Sequence, residues 1–158
     1  MDPSDEGQDR ERADMALFAT RNPAGILRVY DGLAAGGGQW PICWPGVLAP
    51  QAWFLYRRMY LWAALVSAGP LLLAYVPQLS WLNWSTSLVG AAGLRLYVGG
   101  ARRTIAGIRA GADDVIARAL IARAGGVSRI GAAIGLLFAF SQFVLSLKAG
   151  APAIFAPR

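Results

Sequence analysis

WFLYRRMYLWAALVSAGPLLLAYVPQLSWLNWSTSLVGAAGLRLYVGGARR, residues 53–103, contains thirty-six consecutive residues without a charge, at positions 59–94. Arg57 and Arg58 stand before that run, and Arg95, Arg102 and Arg103 follow it. A soluble domain of this size has no need of so long an uncharged run. Two helices crossing a bilayer do, because hydrocarbon penalises every charged side chain left inside it. The stretch predicts a transmembrane hairpin over 59–97. Its first span, 59–76, reaches roughly 27 Å at about 1.5 Å per residue, and Pro70 kinks it. Pro77-Gln78-Leu79 makes the turn, Ser80 caps the return span, and Trp81 and Trp84 mark the far interface. That span runs through Gly90 to Tyr97, with Arg95 snorkelling at its end.

Upstream, residues 40–56 read WPICWPGVLAPQAWFLY. Pro41, Pro45 and Pro50 break a continuous helix, while Trp40, Trp44, Trp53 and Tyr56 suit the headgroup level. An interfacial aromatic segment before the first span is the expectation; the competing one is a first, broken span. Residues 15–58 as a whole are then cytoplasmic and interfacial. Within them, Asn22-Pro23-Ala24-Gly25 is a turn signal inside a short hairpin or irregular cap, and Gly36-Gly37-Gly38 is a flexible joint. Residues 1–14 hold six carboxylates against two arginines and predict a disordered acidic tail.

Downstream, 98–129 is an Arg-rich cytoplasmic connector. Asp113 is placed to cap a helix over 114–124 that Gly125-Gly126 stops, and Ser128 to cap a third span. That span, 130–147, is eighteen uncharged residues between Arg129 and Lys148. Residues 148–158 form a tail. The fold class expected is therefore all-α: a polytopic membrane protein with a helical hairpin, a third transmembrane helix and an interfacial aromatic segment.

Composition agrees. Of 158 residues 56% are hydrophobic and 15% charged, against roughly 25% charged in soluble domains. Fourteen of the fifteen basic residues are arginine, and the net charge is +6. The bias of membrane loops towards cytoplasmic arginine explains that charge before nucleic acid does, for no recognition motif or aromatic-interleaved basic patch accompanies it. With one cysteine, Cys43, and no histidine, neither a disulfide framework nor a His- or paired-Cys metal site can be built. The acidic amino terminus argues against a cleavable signal peptide. Arginine count places the amino terminus and the connector in the cytoplasm and the carboxyl terminus outside.

Three groups of residues bear on function. Tyr56-Arg57-Arg58-Met59, with Trp53 and Tyr60, serves either as an orientation anchor or as a grip on anionic headgroups. Arg95, Tyr97, Arg102 and Arg103, with Arg109 further on, offer a second cytoplasmic patch for lipid or a protein partner. Gly131 and Gly135 form a G-x-x-x-G that lets helices approach closely, within the bundle or in a homo-oligomer. Asp113 and Asp114 are adjacent, so on a helix they diverge instead of converging on a metal. No catalytic, cofactor-binding or metal-binding set emerges. The spans carry no carboxylate or histidine for ion coupling, and Ser85 has no base beside it.

The WFLYRRMY segment resembles the W-x-x-Y-R-[KR]-M-[YW] signature of a family of small bacterial inner-membrane proteins catalogued only as a domain of unknown function. Three further pieces are similar in order: residues 15–31, the Gly93-Leu94-Arg95-Leu96-Tyr97 run followed by Arg102-Arg103, and residues 122–128. The resemblance covers roughly 15–128. Leu94 stands where the family often has Asn, and Val127 where it has Thr. The resemblance implies a multi-pass protein of the bacterial inner membrane with no established activity. The function expected is thus a non-catalytic accessory, scaffold or anionic-lipid-interacting protein. The alternatives are a subunit of an oligomeric pore or transporter and, after it, an enzyme acting on lipid.

Overall fold

In a computed structural model the protein is all-α. The structure describes residues 3–36, 41–73 and 84–155, which form nine helices. These are α1 (Pro3–Ala19), α2 (Pro23–Ala34), α3 (Trp44–Leu48), α4 (Pro50–Tyr56), α5 (Tyr60–Leu73), α6 (Trp84–Ala91), α7 (Gly93–Gly111), α8 (Asp114–Ala124) and α9 (Arg129–Phe155). The chain divides into two units: unit 1 is Met1–Trp44 with Ala91–Val127, and unit 2 is Pro45–Gly90 with Ser128–Arg158.

Unit 1 is built on α1, α2, α7 and α8. Helix α1 buries Met15, Phe18 and Ala19, spaced i, i+3, i+4 so that they share a face. Thr20 and Asn22 adopt left-handed backbone, turning the chain so that Pro23 starts α2 at the position where its missing N–H costs nothing. α2 buries Ile26, Val29 and Tyr30 at the same spacing, and α7 buries Tyr97, Val98, Ala101 and Ile105. Gly125 and Gly126 end α8 against α1. A Cβ on Gly125 would lie 2.1 Å from the Phe18 carbonyl oxygen, and the Gly126 N–H donates to that oxygen at 3.0 Å.

This arrangement departs from the sequence expectation. Helix α1 spans most of the stretch expected to be a disordered acidic tail. Two of its carboxylates are paired with arginines some ninety residues later, beyond any local window: the pairs Arg102–Glu11 and Arg109–Asp14 are separated by 91 and 95 positions. The short hairpin or cap expected after residue 15 is a turn between two helices. The connector over 98–129 is itself helical, as α7 and α8, and packs with α1.

Unit 2 is centred on α4. Pro50, Gln51, Ala52, Trp53 and Phe54 are all buried, and both α5 and α9 pack on this short helix. The aromatic segment is therefore not laid out along a surface over α4. Proline splits it into two short helices, and the second becomes the centre of a bundle. Glycines admit it. A Cβ on Gly131 would meet the Leu55 carbonyl oxygen at 2.6 Å, one on Gly135 the Ala52 Cα at 2.4 Å, and one on Gly90 the Gly46 carbonyl oxygen at 1.9 Å. Ser128 caps α9, its Oγ accepting from the Gly131 N–H at 3.0 Å.

The expected hairpin is only partly described. Helix α5 has 14 residues and α6 has 8, and the turn at residues 77–79 lies outside the described residues. The return span breaks at Ala92, so Arg95 and Tyr97 belong to α7 in unit 1. Helix α9 covers the expected third span and continues to Phe155, past the expected end at residue 147. Among the described residues one helical stretch, Asp114–Val144, is long and apolar enough to cross a membrane by length and composition. The helix is interrupted at residues 125–128, so the apolar part is α9, and only 11% of that apolar stretch is buried.

Candidate functional site

The sequence-derived candidates fall into both units. Trp53, Tyr56, Arg57, Arg58, Tyr60, Gly131 and Gly135 belong to unit 2, and Arg95, Tyr97, Arg102 and Arg103 to unit 1.

In unit 2 the Tyr56-Arg57-Arg58-Met59 run is a helix terminus. The Met59 N–H donates to the Phe54 carbonyl at 2.8 Å and the Arg58 N–H to the Leu55 carbonyl at 3.1 Å, with Arg58 left-handed at φ 58°. This is a Schellman motif, a position usually held by glycine, and it aligns α4 with the start of α5. Trp53 is buried, its ring edge-on to Phe54 at 5.2 Å, and Phe54 stacks with Trp62 at 6.3 Å. The Arg57 guanidinium lies 5.6 Å from the Tyr56 ring centroid, Arg58 is exposed, and Tyr60 is 60% exposed. The Ser128 N–H donates to the Tyr56 carbonyl at 2.7 Å, which brings the start of α9, with Arg129, onto the arginine turn.

In unit 1 the arginines of α7 face carboxylates. Arg102 Nε donates to Glu11 Oε1 at 2.8 Å, and its guanidinium lies 5.6 Å from the Tyr30 ring centroid. Arg109 holds Asp14 in a two-pronged bond, Nε to Oδ2 at 2.7 Å and Nη2 to Oδ1 at 2.6 Å, and also donates to Asp114. Asp114 receives Arg118 at 3.0 Å and Arg10 at 3.4 Å. Those hydrogen bonds, to Asp14 first and Asp114 second, raise the Arg109 pKa, while the Arg109 bond holds the Asp114 carboxyl below its ordinary value. Burial, then the Glu11 carboxylate, pushes the Tyr30 phenol up to about 12. Arg103 is exposed on α7 and Arg95 half-buried. Tyr97 is buried, its ring 5.8 Å from Phe18 and its hydroxyl donating to the Phe18 carbonyl at 3.5 Å.

Charge balance separates the units. Unit 1 carries ten arginines and nine carboxylates, whereas unit 2 carries four arginines and Lys148 with no carboxylate. A cleft of about 320 Å³ between α1 and α7 is lined by Arg10, Arg102 and Arg109, but Glu11 and Asp14 line it too, so it has no strong grip on an anion. Sequence reasoning counted the unit 1 arginines as a patch and missed Glu11 and Asp14 as their counter-charges. The available signal was the continuation of the acidic run into Met15, Phe18 and Ala19, an apolar face that marks a packed helix. It also missed that Arg129 adjoins the residue bonded to Tyr56, and that the Gln51 amide bonds to that of Gln142 at 2.9 Å.

Comparison with family models, with curated proteins and with solved structures finds no match to this chain. What stands is a small all-helical protein with, among the described residues, one helix apolar enough to cross a membrane by length and composition.

Proposed function

We propose that the protein is a multi-pass integral membrane protein of the bacterial inner membrane with a cytoplasmic amino terminus. In this reading it acts without catalysis, as an accessory or scaffold contacting anionic lipid. The observation that carries the proposal is the apolar outward face of unit 2. Its large exposed side chains along α5 and α9 are mainly apolar, among them Leu61, Leu65, Ile130, Leu137, Phe140 and Phe143, while the buried set includes Gln51 and four glycines beside its apolar side chains. Water penalises that arrangement and hydrocarbon favours it, because inside lipid it is polar groups and close backbone contacts that must be turned inward. Unit 1 differs in that most of its arginines are exposed, beside a few apolar side chains such as Val115, while methionine, isoleucine and aromatic side chains lie within, with Asp14. Unit 2 is then the part in lipid and unit 1 the part in water. The resemblance of WFLYRRMY to small inner-membrane proteins points the same way.

The test is extraction and labelling. The chain is expected in the membrane fraction after alkaline carbonate. In a Cys43→Ser background, a cysteine at position 78 should react with an impermeant reagent from outside, and one at position 103 only after permeabilisation. Release by carbonate, or labelling of both positions from one side, would sink the proposal.

A further inference from the structure

We infer that Arg57, Arg58 and Arg129 together form a site for the phosphate of an anionic phospholipid, at the end of unit 2 where α4 stops and α9 starts. The inference rests on the membrane reading above and adds to it the ligand and a third arginine. The two arginine-bearing turns are joined through their backbones. Ser128 donates to the Tyr56 carbonyl at 2.7 Å, and Gly131 lies against the carbonyl of Leu55. Arg57 follows one partner of that bond and Arg129 the other, so residues 72 positions apart in sequence flank one hydrogen bond.

Each guanidinium is set differently. Arg57 is half-buried against the Tyr56 ring, whereas Arg58 is held outward by its left-handed backbone and Arg129 is exposed in the first turn of α9. A phosphate has several acceptor oxygens, and guanidinium is the side chain that meets them two at a time. Lipid is favoured over a free anion as the source. Tyr60 and Leu61, on the first turn of α5, and Ile130, next to Arg129, are exposed apolar or amphipathic side chains that suit the glycerol and upper acyl chain. Charge complementarity supports the same ligand, because unit 2 carries arginines and a lysine and no Asp or Glu.

The experiment measures retention of phosphatidylglycerol against phosphatidylcholine by the full chain in mild detergent, by mass spectrometry of the protein–lipid complex. The wild type should prefer phosphatidylglycerol. Arg57→Gln, Arg58→Gln and Arg129→Gln should each lower that preference about fivefold, the value of one basic residue at an anionic surface. Substituting lysine at the same three positions keeps the charge but not the two-pronged grip and should leave a preference between those of the wild type and the Gln variants, which guards against a folding defect, and Arg28→Gln, exposed in unit 1, should leave it unchanged. Loss in the Arg28 variant, or none in the triple Gln variant, overturns the site. Displacement of the lipid by inorganic phosphate at matched concentration overturns its assignment to a lipid. A chain that inserts but shows no lipid preference refutes this inference alone, whereas one that carbonate releases refutes the membrane reading as well.

Discussion

The side-chain amide of Gln51 on α4 donates to that of Gln142 on α9 at 2.9 Å, and both amides reach into α5 beside its proline. Pro70 has no N–H to give the carbonyl four residues before it, that of Val66. The Gln51 Nε2 takes that role at 3.5 Å, and the Gln142 Nε2 reaches the next carbonyl, Ser67, at 3.4 Å. The proline that opens α5 is thus matched by two glutamines that tie three helices together. An apolar environment makes that exchange matter, because there is no water to satisfy what the proline frees.

Replacing Gln142 by leucine should therefore cost about 1–3 kcal/mol, the usual penalty of leaving buried polar groups unmet. The more discriminating variant is Pro70→Ala, which returns an N–H to the Val66 carbonyl. Gln51→Leu should cost clearly less in that background than in the wild type. A double-mutant cycle on denaturant unfolding in detergent measures the difference, and strict additivity would remove the proposed link between proline and glutamine.

Glycine substitutions should sort by what their Cβ would meet. At Gly135 the new atom would fall 2.4 Å from the Ala52 Cα, a backbone atom that cannot step aside without moving α4. Gly135→Ala should lose at least about 1–3 kcal/mol, the range for overpacking. Gly107, exposed within α7 with nothing within 4 Å of its Cβ position, should instead gain about 0.5–1 kcal/mol as alanine. Thermal melts of the two variants should move in opposite directions.

Much of the helical framework was legible from local signals. The Asn22-Pro23 turn, the helix over 114–124 with its Gly125-Gly126 stop, and the Ser128 cap all depend on residues within a turn of one another. Even there the cap at Asp113 differs: its side chain makes no capping bond, while Asp114 is drawn to Arg109. What was hidden depends on partners far apart in sequence. Glu11 and Asp14 look like a solvated tail until Arg102 and Arg109 are seen to face them. Trp53 looks like an interfacial ring until Gly131 and Gly135 let α9 close over α4. Arg129 joined the candidate site only through the backbone bond of its neighbour Ser128 to Tyr56, which no spacing rule announces.

Arg58 occupies a left-handed position that glycine adopts without the Cβ penalty. In detergent without anionic lipid, Arg58→Gly should raise stability by about 0.5–1 kcal/mol, even as it removes a guanidinium from the proposed headgroup site. Stability and phosphatidylglycerol preference should then change in opposite senses. A variant that melts earlier would show that the Arg58 side chain contributes more to the fold than its backbone conformation costs.

Unit 1 should be limited at both ends of the pH scale by groups that the structure identifies. The Asp114 carboxyl is held below its ordinary value by Arg109 first, with Arg118 and Arg10 adding attraction. A depressed acid contributes stability above its unfolded pKa, near 4, and loses it as pH falls through the lower folded value. Asp114→Asn should accordingly flatten the acid side of the stability profile. Tyr30 works in the other direction. Its phenol is raised to about 12, so folding favours the neutral form. That contribution is complete below the unfolded value of about 10 and is lost as pH rises through about 12. Tyr30→Phe keeps the ring but cannot ionise, and should hold its melting temperature where the wild type declines. Tyrosinate absorbance during an alkaline titration offers a direct check, because the phenol ionising near pH 12 should vanish in that variant. If the wild type and Tyr30→Phe lose stability together between pH 10 and 12, the alkaline limit belongs to another group.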